Sequence, residues 1–367
     1  MTGHVIARQH RNWTSLEISR KYLILWTAMS EQAAEFAPLR IKRVVRETSD
    51  AVSLVLDVPA DCSQSFRYEA GQYLTLQVKV DGDDHQRCYS MSSSPYNGDE
   101  LQITVKRDPG GVVSNWLNDT AETGVEIHAL PPQGRFVLSD SERDIVAFAG
   151  GSGITPVFSL IGSALVSTQR RIKLFYANRC RDSVIFGESL RALAEARPDR
   201  LALAEHFDEE SGVVQRAAVQ LFIDSSADVD YYICGPAPFM DTVEETLLDA
   251  GVPRDRLYLE RFQVAPVSVD AAESSAETEE VVIELDPKTI TASYRAGNTL
   301  LQTARMAGLN APSSCETGSC GTCMARIESG SARMLNNDAL DDDEVAEGWV
   351  LTCQSLPTSR TVHVVYE

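Results

Sequence analysis

Residues 315–323 read Cys-Glu-Thr-Gly-Ser-Cys-Gly-Thr-Cys, and a further cysteine, Cys353, follows after a longer gap. The spacing C-x4-C-x2-C with a distant fourth cysteine is the plant-type pattern for a [2Fe–2S] cluster. Gly318 and Gly321 fit this chemistry, because glycine lets the backbone wrap tightly and point amide groups at the sulfur atoms. The stretch therefore predicts an iron–sulfur centre, and with it electron transfer, in the C-terminal part of the chain.

Zinc and disulfide bonds are the other interpretations of clustered cysteines. A structural zinc site normally takes two short Cys/His pairs, whereas this chain has three cysteines together and one apart. The remaining cysteines lack the spacing of a disulfide framework. They are Cys62, Cys88, Cys180 and Cys234. Because zinc carries no electrons, the choice between zinc and a cluster decides the function.

A glycine-rich turn between a strand and a helix lies upstream. The apolar residues 144–149 predict a buried strand, and Gly150, Gly151 and Gly153 follow it directly. Glycines let the backbone approach a pyrophosphate closely, while the N-terminus of the helix supplies partial positive charge. Two or three glycines alone are weak support, but the strand-to-helix setting indicates a dinucleotide site.

The pattern of the chain differs on either side of residue 138. Before it, short β-like runs separated by turn residues predict an antiparallel barrel or sandwich. Those runs are 41–46, 52–58, 73–80 and 101–106. After it, apolar strands at 144–149, 171–176 and 231–234 alternate with helical stretches, which predicts a parallel sheet with helices on both faces. The Ser-, Ala- and acid-rich sequence after Phe262 predicts a flexible linker.

Two segments of the strand-rich part carry residues suited to a flavin. Arg87-Cys88-Tyr89-Ser90 supplies a guanidinium for a pyrophosphate, a ring for a flavin face and a hydroxyl for flavin N5. Gly110-Gly111-Val112-Val113-Ser114 precedes a short helical pattern whose N-terminus suits phosphate. Each segment has an ordinary interpretation, because Arg and Tyr alternate on many strands and Gly-Gly is usually a turn.

Charge and hydropathy narrow the classes of partner. A formal net charge of −20 disfavours nucleic acid, whose phosphates need a basic surface. No run approaches the roughly 18 consecutive apolar residues of a membrane span, and no convincing signal-peptide cleavage site follows the short apolar run 22–29. We therefore expect a cytoplasmic protein. The acidic run 341–344 is either a docking surface for a basic partner or the start of a solvated helix.

In this order the segments resemble the ferredoxin-reductase-like flavoprotein family, whose flavin motif is R-x-Y-S and whose phosphate loop is G-x-x-S. That resemblance covers residues 39 to about 262, and the cysteine loop is similar to that of plant-type ferredoxins. It implies a multidomain fold with an antiparallel β-barrel flavin domain, an α/β parallel-sheet nucleotide domain and a C-terminal β-grasp plant-type ferredoxin domain. The expected bounds are an N-terminal extension 1–37, the flavin domain 38–140, the nucleotide domain 141–264, a linker 265–280 and the ferredoxin domain 281–367.

The resemblance also implies roles for particular residues. The flavin, FAD more than FMN, would be bound by Arg87, Tyr89, Ser90, Gly110, Gly111, Val112 and Ser114. The nicotinamide nucleotide would be bound by Gly150, Gly151, Gly153, Thr155, Arg179, Cys234, Gly235 and Pro236. Ser90, Cys234 and Phe262 would act in hydride transfer, and Cys315, Cys320, Cys323 and Cys353 would hold the cluster. Core packing is the competing interpretation of Cys234 and of Phe262.

The order of domains is similar to that of the FAD-containing reductases that serve Rieske-type oxygenases, including those of steroid hydroxylases. It implies hydride transfer from NAD(P)H to FAD, single-electron transfer to the cluster, and delivery to a separate oxygenase. NADH is favoured because similar-looking relatives use it, although Arg179 and Arg181 leave NADPH open. Reductases of di-iron epoxidases share the layout. Other hypotheses are a redox-sensing iron–sulfur protein without turnover and a self-contained oxidase, for which the sequence offers no Rieske, haem or non-haem iron motif.

Overall fold

Three sheets organise the chain in a computed structural model. The structure describes residues 36–223, 228–262, 278–309, 311–313, 318, 321–337 and 339–366. The predicted N-terminal extension and the predicted linker lie almost wholly outside these residues, and Cys315 and Cys320 lie outside them as well.

The first sheet is antiparallel throughout and has six strands. They are β1 (Ala37–Thr48), β2 (Ala51–Asp57), β3 (Tyr73–Val80), β4 (Asp83–Ser90), β5 (Gln102–Lys106) and β6 (Glu126–Ala129), in the order β4-β3-β6-β1-β2-β5. A bridge between Met91 and Ile103 joins the end of β4 to β5, so the two edges of the sheet meet. A helix, α1 (Val112–Thr120), follows β5. The predicted antiparallel barrel and the short helix are confirmed.

The second sheet has five parallel strands. They are β7 (Asp144–Gly150), β8 (Ile172–Asn178), β9 (Leu201–Phe207), β10 (Val229–Cys234) and β11 (Leu257–Glu260), in the order β11-β10-β7-β8-β9. The helices between them are α2 (Ile154–Ser167), α3 (Gly187–Ala196), α4 (Asp208–Ser211), α5 (Arg216–Phe222) and α6 (Ala237–Asp249).

Alternating side chains of β7 serve two separate hydrophobic cores. Ala147 and Ala149 pack with α2 on one face, while Val146 and Phe148 pack with α5 and α6 on the other. A strand that is buried on both faces is expected to have a nearly continuous apolar sequence, and the sequence of β7 has this pattern. The predicted parallel sheet with helices on both faces is therefore confirmed.

The barrel and the parallel sheet share an interface along α2. The Ser159 hydroxyl donates to the Ser93 carbonyl at 2.5 Å, and the hydroxyls of Ser94 and Ser163 lie 2.8 Å apart. Ser93 and Ser94 follow β4 closely, so this contact sets the end of β4 beside the helix that begins after β7.

The third sheet contains both parallel and antiparallel pairs and packs against a helix. Its strands are β12 (Glu280–Leu285), β13 (Lys288–Ser293), β14 (Met324–Ser329), β16 (Trp349–Leu351) and β18 (Thr361–Tyr366), in the order β13-β12-β18-β14-β16. A separate pair is formed by β15 (Ala332–Met334) and β17 (Ser355–Pro357). The helix α7 (Leu300–Met306) buries Leu300, Leu301 and Ala304 in the core of this part. The predicted β-grasp architecture is confirmed.

The acidic run at 341–344 begins the short helix α8 (Asp342–Ala346). The Asp341 carboxylate accepts from the Glu344 amide at 2.8 Å, and the Glu344 carboxylate accepts from the Asp341 amide at 2.8 Å. This reciprocal cap satisfies two backbone donors and places negative charge at the N-terminus of the helix. The run thus has a local structural role, and docking stays a prediction. Among the described helices, none combines the length and the apolar composition needed to cross a bilayer.

Candidate functional site

A cleft of about 400 Å³ opens between the barrel and the carboxyl end of β7. It brings together residues that the sequence analysis assigned to the flavin, to the nucleotide and to hydride transfer. Those predicted residues are Arg87, Tyr89, Ser90, Gly111, Val112, Ser114, Thr155 and Phe262. Segments separated by up to about 175 positions therefore contribute to one site.

The wall built by β4 carries the polar groups for a flavin ring. Arg87 is exposed, with a guanidinium that donates to the carbonyl of Gln86 at 2.7 Å. Burial raises the pKa of Tyr89, so its phenol stays neutral. The Ser90 hydroxyl is buried and has no hydrogen-bond partner among the described residues. A buried hydroxyl of this kind needs a partner, and a flavin bound in the cleft would be suited to supply one.

The N-terminus of α1 forms a second wall. Gly110 has a φ of +77°, which favours glycine, and a Cβ on Gly111 would lie 2.5 Å from the Ser114 hydroxyl. The Ser114 oxygen accepts from the Asp108 amide at 3.1 Å, so its own proton is left to donate. Gly111 caps the helix without a side chain, and the free amides of the first turn suit a phosphate.

The glycine turn after β7 meets the loop after β10. A Cβ on Gly153 would collide with the carbonyl of Cys234, and one on Gly235 would lie 3.0 Å from the backbone of Gly150. The carboxyl ends of these neighbouring strands are where open parallel sheets bind ligands. The structure thus brings the two predicted nucleotide loops together, although Gly150, Gly151, Gly153, Gly235 and Pro236 are not among the residues that line the cleft itself.

Cys234 and Phe262 occupy different positions relative to the cleft. Cys234 is completely buried, and burial together with the charge of Glu260 raises the pKa of its thiol well above the usual value. It therefore stays a neutral thiol, and it is not among the residues that line the cleft. Phe262 lines the cleft directly.

Lys106 lines the cleft and was missed by the sequence analysis. Burial lowers the pKa of its ammonium group, which lies 3.9 Å from a carboxylate oxygen of Asp50. Asp50 also pairs at 3.1 Å with Arg179, which was predicted to bind the nucleotide. Neither Asp50 nor Arg179 lines the cleft. The sequence signal that could have identified Lys106 is its position at the end of a strand, shortly before a Gly-Gly turn. The cleft contains further residues that were not predicted, namely Cys88, Thr104, Arg107, Asp108, Val113 and Ser152.

The C-terminal part brings two of the predicted cluster ligands close together. Cys323 and Cys353 are both buried, and the Cys323 carbonyl accepts from the amide of Thr352 at 3.1 Å and from its hydroxyl at 2.9 Å. Nearby Gly318 has a φ of +89°, and a Cβ there would lie 2.8 Å from the carbonyl of Asn336. A cradle without room for a side chain, beside two buried thiols, fits a sulfide-bridged cluster.

The chain matches three domain families in the predicted order. Residues 38–138 match the oxidoreductase FAD-binding domain, 148–245 the oxidoreductase NAD-binding domain, and 283–358 the 2Fe-2S iron-sulfur cluster binding domain. The predicted FAD, nicotinamide nucleotide and [2Fe–2S] cluster are confirmed at the level of these domains.

Relatives with the same layout span nearly the whole chain. The ferredoxin reductase component of 3-ketosteroid-9-alpha-monooxygenase from Mycobacterium tuberculosis is 40% identical over 342 residues, which cover 90% of this chain and 95% of that protein. One subunit of the 1,2-phenylacetyl-CoA epoxidase from Escherichia coli is 31% identical, covering 90% of this chain and 98% of that protein. The solved structure of phthalate dioxygenase reductase has a TM-score of 0.60 at 25% identity and covers 90% of this chain and 98% of that one.

Proposed function

The chain belongs to the family of flavin- and [2Fe–2S]-containing reductase components of oxygenase systems, and we propose that it delivers electrons from NADH to a separate Rieske-type oxygenase. The observation that carries this proposal is the single cleft in which the flavin motif of β4 lies beside the nucleotide turn after β7. The relative named as the reductase component of a 3-ketosteroid monooxygenase supports an oxygenase as the acceptor. The relative named as an epoxidase subunit supports a second candidate acceptor, an epoxidase.

The lining of the cleft supports a role for each wall. Arg87 and the first turn of α1, with Ser114, would hold the phosphates of FAD, while Tyr89 and Phe262 would cover the ring. The turn at Gly150–Gly153 would hold the pyrophosphate of the nucleotide. When bound, the flavin takes a hydride and returns electrons one at a time, which is how a two-electron donor serves a one-electron cluster.

FAD is preferred to FMN, because residues 38–138, which include the cleft residues of β4 and of α1, match the FAD-binding domain family. The cluster would be held by Cys323 and Cys353 together with Cys315 and Cys320. We also propose a cytoplasmic enzyme, since NADH is the donor and Cys62, Cys180 and Cys234 carry free thiols. We further propose that the flavin domain spans residues 38–140, the nucleotide domain 141–264 and the ferredoxin domain 281–367.

Anaerobic addition of NADH to the purified protein is expected to bleach the flavin absorbance and then the cluster absorbance. Under steady-state conditions the protein is expected to reduce cytochrome c with NADH without any added oxygenase. Adding a purified Rieske oxygenase and its substrate should couple NADH oxidation to product formation. Binding of NADH without any bleaching would instead support a redox-sensing protein without turnover.

Replacing Ser90 by alanine is expected to slow the anaerobic reduction of the flavin by NADH by about tenfold. That factor corresponds to a hydrogen bond worth about 1.4 kcal/mol between the buried hydroxyl and the flavin. Stopped-flow absorbance measures the rate, and the flavin content after gel filtration reports on binding.

Ser167→Ala is the matched control, because the Ser167 hydroxyl donates within its own helix at 2.8 Å to the Ser163 carbonyl. The control should reduce its flavin at the wild-type rate. An unchanged rate in Ser90→Ala, with full flavin content, would remove Ser90 from the hydride-transfer site.

A further inference from the structure

A second cavity, of about 170 Å³, lies beyond the carboxyl ends of β8 and β9. Its lining residues come from the last residue of β9 and from the segments that follow the two strands. They are Cys180, Arg181, Asp182, Phe207, Glu209 and Glu210. Strand β8 is the hydrogen-bonded neighbour of β7, which carries the glycine turn. In sheets of this kind the adenosine ribose is read just after the strand next to the pyrophosphate turn, so this cavity is suited to the adenosine half of the nucleotide.

The guanidinium group of the arginine in this cavity already has an ion-pair partner and a ring contact. Arg181 forms a two-pronged pair with Glu210, with 2.9 Å from Nε to Oε1 and 3.2 Å from Nη2 to Oε2. The same guanidinium lies over the ring of Phe207, at 4.4 Å from the ring centre. A phosphate that binds Arg181 through Nε and Nη2 would compete with Glu210 for these N–H donors.

The other arginine in this region is occupied as well. Arg179 pairs with Asp50 at 3.1 Å, and the backbone carbonyl of Arg179 accepts from the Glu209 amide at 3.0 Å. The cavity is left with the carboxylates of Asp182 and Glu209. A phosphate monoester carries a charge of about −1.5 to −2, which these groups repel, whereas a ribose hydroxyl donates to a carboxylate.

We propose that Glu210 sets the nucleotide choice of this reductase by masking Arg181. With Arg181 engaged, the cavity accepts the 2′-hydroxyl of NADH and rejects the 2′-phosphate of NADPH. This inference rests on the proposed function in one respect, which is that the chain binds a pyridine nucleotide at the end of the parallel sheet.

The Glu210→Gln variant tests the proposal, because it removes the charge and keeps the size of the side chain. Its ratio of kcat/KM for NADPH to that for NADH is expected to rise by about tenfold, the value for one charge-assisted hydrogen bond released to the 2′-phosphate. Calorimetric titration with NADP⁺ and NAD⁺ should show the same change in relative affinity without any turnover. The Glu210 side chain is 52% exposed, so the folded state should tolerate the change.

Two further variants make the result specific. Adding Arg181→Leu to Glu210→Gln should abolish the gain for NADPH. Glu205→Gln breaks a similar two-pronged pair, with Arg191 at 3.1 and 2.8 Å, outside the cavity and should leave the ratio unchanged.

The proposal would be overturned by an unchanged ratio in Glu210→Gln, or by a wild-type protein that binds NADP⁺ more tightly than NAD⁺. The titrations also separate this inference from the proposed function. A protein that selects NAD⁺ but reduces no acceptor would refute the electron-transfer role and leave the role of Glu210 in place.

Discussion

Replacing Cys353 by alanine is expected to abolish cytochrome c reduction while leaving the reduction of the flavin by NADH intact. The thiol is buried beside Cys323, and Thr352, the residue before it, donates twice to the Cys323 carbonyl. Loss of the proposed thiolate ligand would remove the one-electron carrier, whereas the cleft proposed for the flavin belongs to the first and second sheets. Iron content, cytochrome c reduction and anaerobic flavin bleaching measure the three consequences separately.

The matched control for this prediction is Cys62→Ala. Cys62 has a half-buried side chain in the barrel part of the chain, and its thiol donates to the carbonyl of Pro59 at 3.5 Å. The control should keep its iron and both activities. Wild-type iron content in Cys353→Ala would show that Cys353 is not a ligand, and the ligand set would have to be revised.

The free energy of unfolding is expected to fall by about 3–5 kcal/mol in Asp230→Asn, the largest effect on stability that we foresee. Asp230 and Arg170 have fully buried side chains that pair at 2.7 Å. Asp230 also accepts from Arg143 at 2.7 Å and from the hydroxyls of Ser139 and Ser141. Asparagine keeps the shape of the side chain but leaves the buried guanidinium of Arg170 without its counter-charge.

This network also ties the segment between the barrel and the parallel sheet to β10. Arg170 donates to the carbonyls of Arg143 and of Ser139, and Tyr232 on β10 donates to the carbonyl of Val137 at 3.2 Å. We therefore expect Asp230→Asn to destabilise both the flavin part and the nucleotide part of the chain. Chemical denaturation followed by flavin fluorescence and by far-ultraviolet circular dichroism measures it.

The control is Asp228→Asn, since Asp228 forms an exposed pair with Arg256 two positions away from the buried network. That variant should change the free energy of unfolding by less than about 0.5 kcal/mol. A loss below about 1 kcal/mol in Asp230→Asn would contradict the assignment of a buried, charge-dependent network.

The pH dependence of this contribution follows from the pKa of Asp230. Burial acts to raise that pKa, but hydrogen bonds from Ser141, Ser139 and Arg143 and the charge of Arg170 outweigh it, and the pKa lies below its usual value. The stabilisation is therefore fully present above about pH 4, the usual carboxyl range, and is lost as the pH falls through the lowered pKa. In the variant this acid-dependent part of the stability should be absent.

Sequence reasoning found strands from their apolar pattern. β7 is a near-continuous apolar run and β3 has apolar residues at alternate positions, so their burial could be foreseen without knowing their partners. β4 reads Asp-Asp-His-Gln-Arg-Cys-Tyr-Ser, and all but the last of its residues are exposed or half-buried. Only pairing with β3 along its whole length makes it a strand, and its bounds could not be obtained from hydropathy.

The sequence by itself determined the chemistry of this protein, because spacing within a short segment fixes which groups can share one ligand. The cysteine loop, the Arg-x-Tyr-Ser segment and the glycine turn are each local, and their order predicted a flavin, a nucleotide and a cluster. The tertiary structure alone decided which charges are paired. Arg181 pairs with Glu210, 29 positions later, and Arg179 pairs with Asp50, 129 positions earlier. Such pairs form only when the strand ends and the two sheets are packed together, because charges distant in sequence have no fixed separation in an unfolded chain.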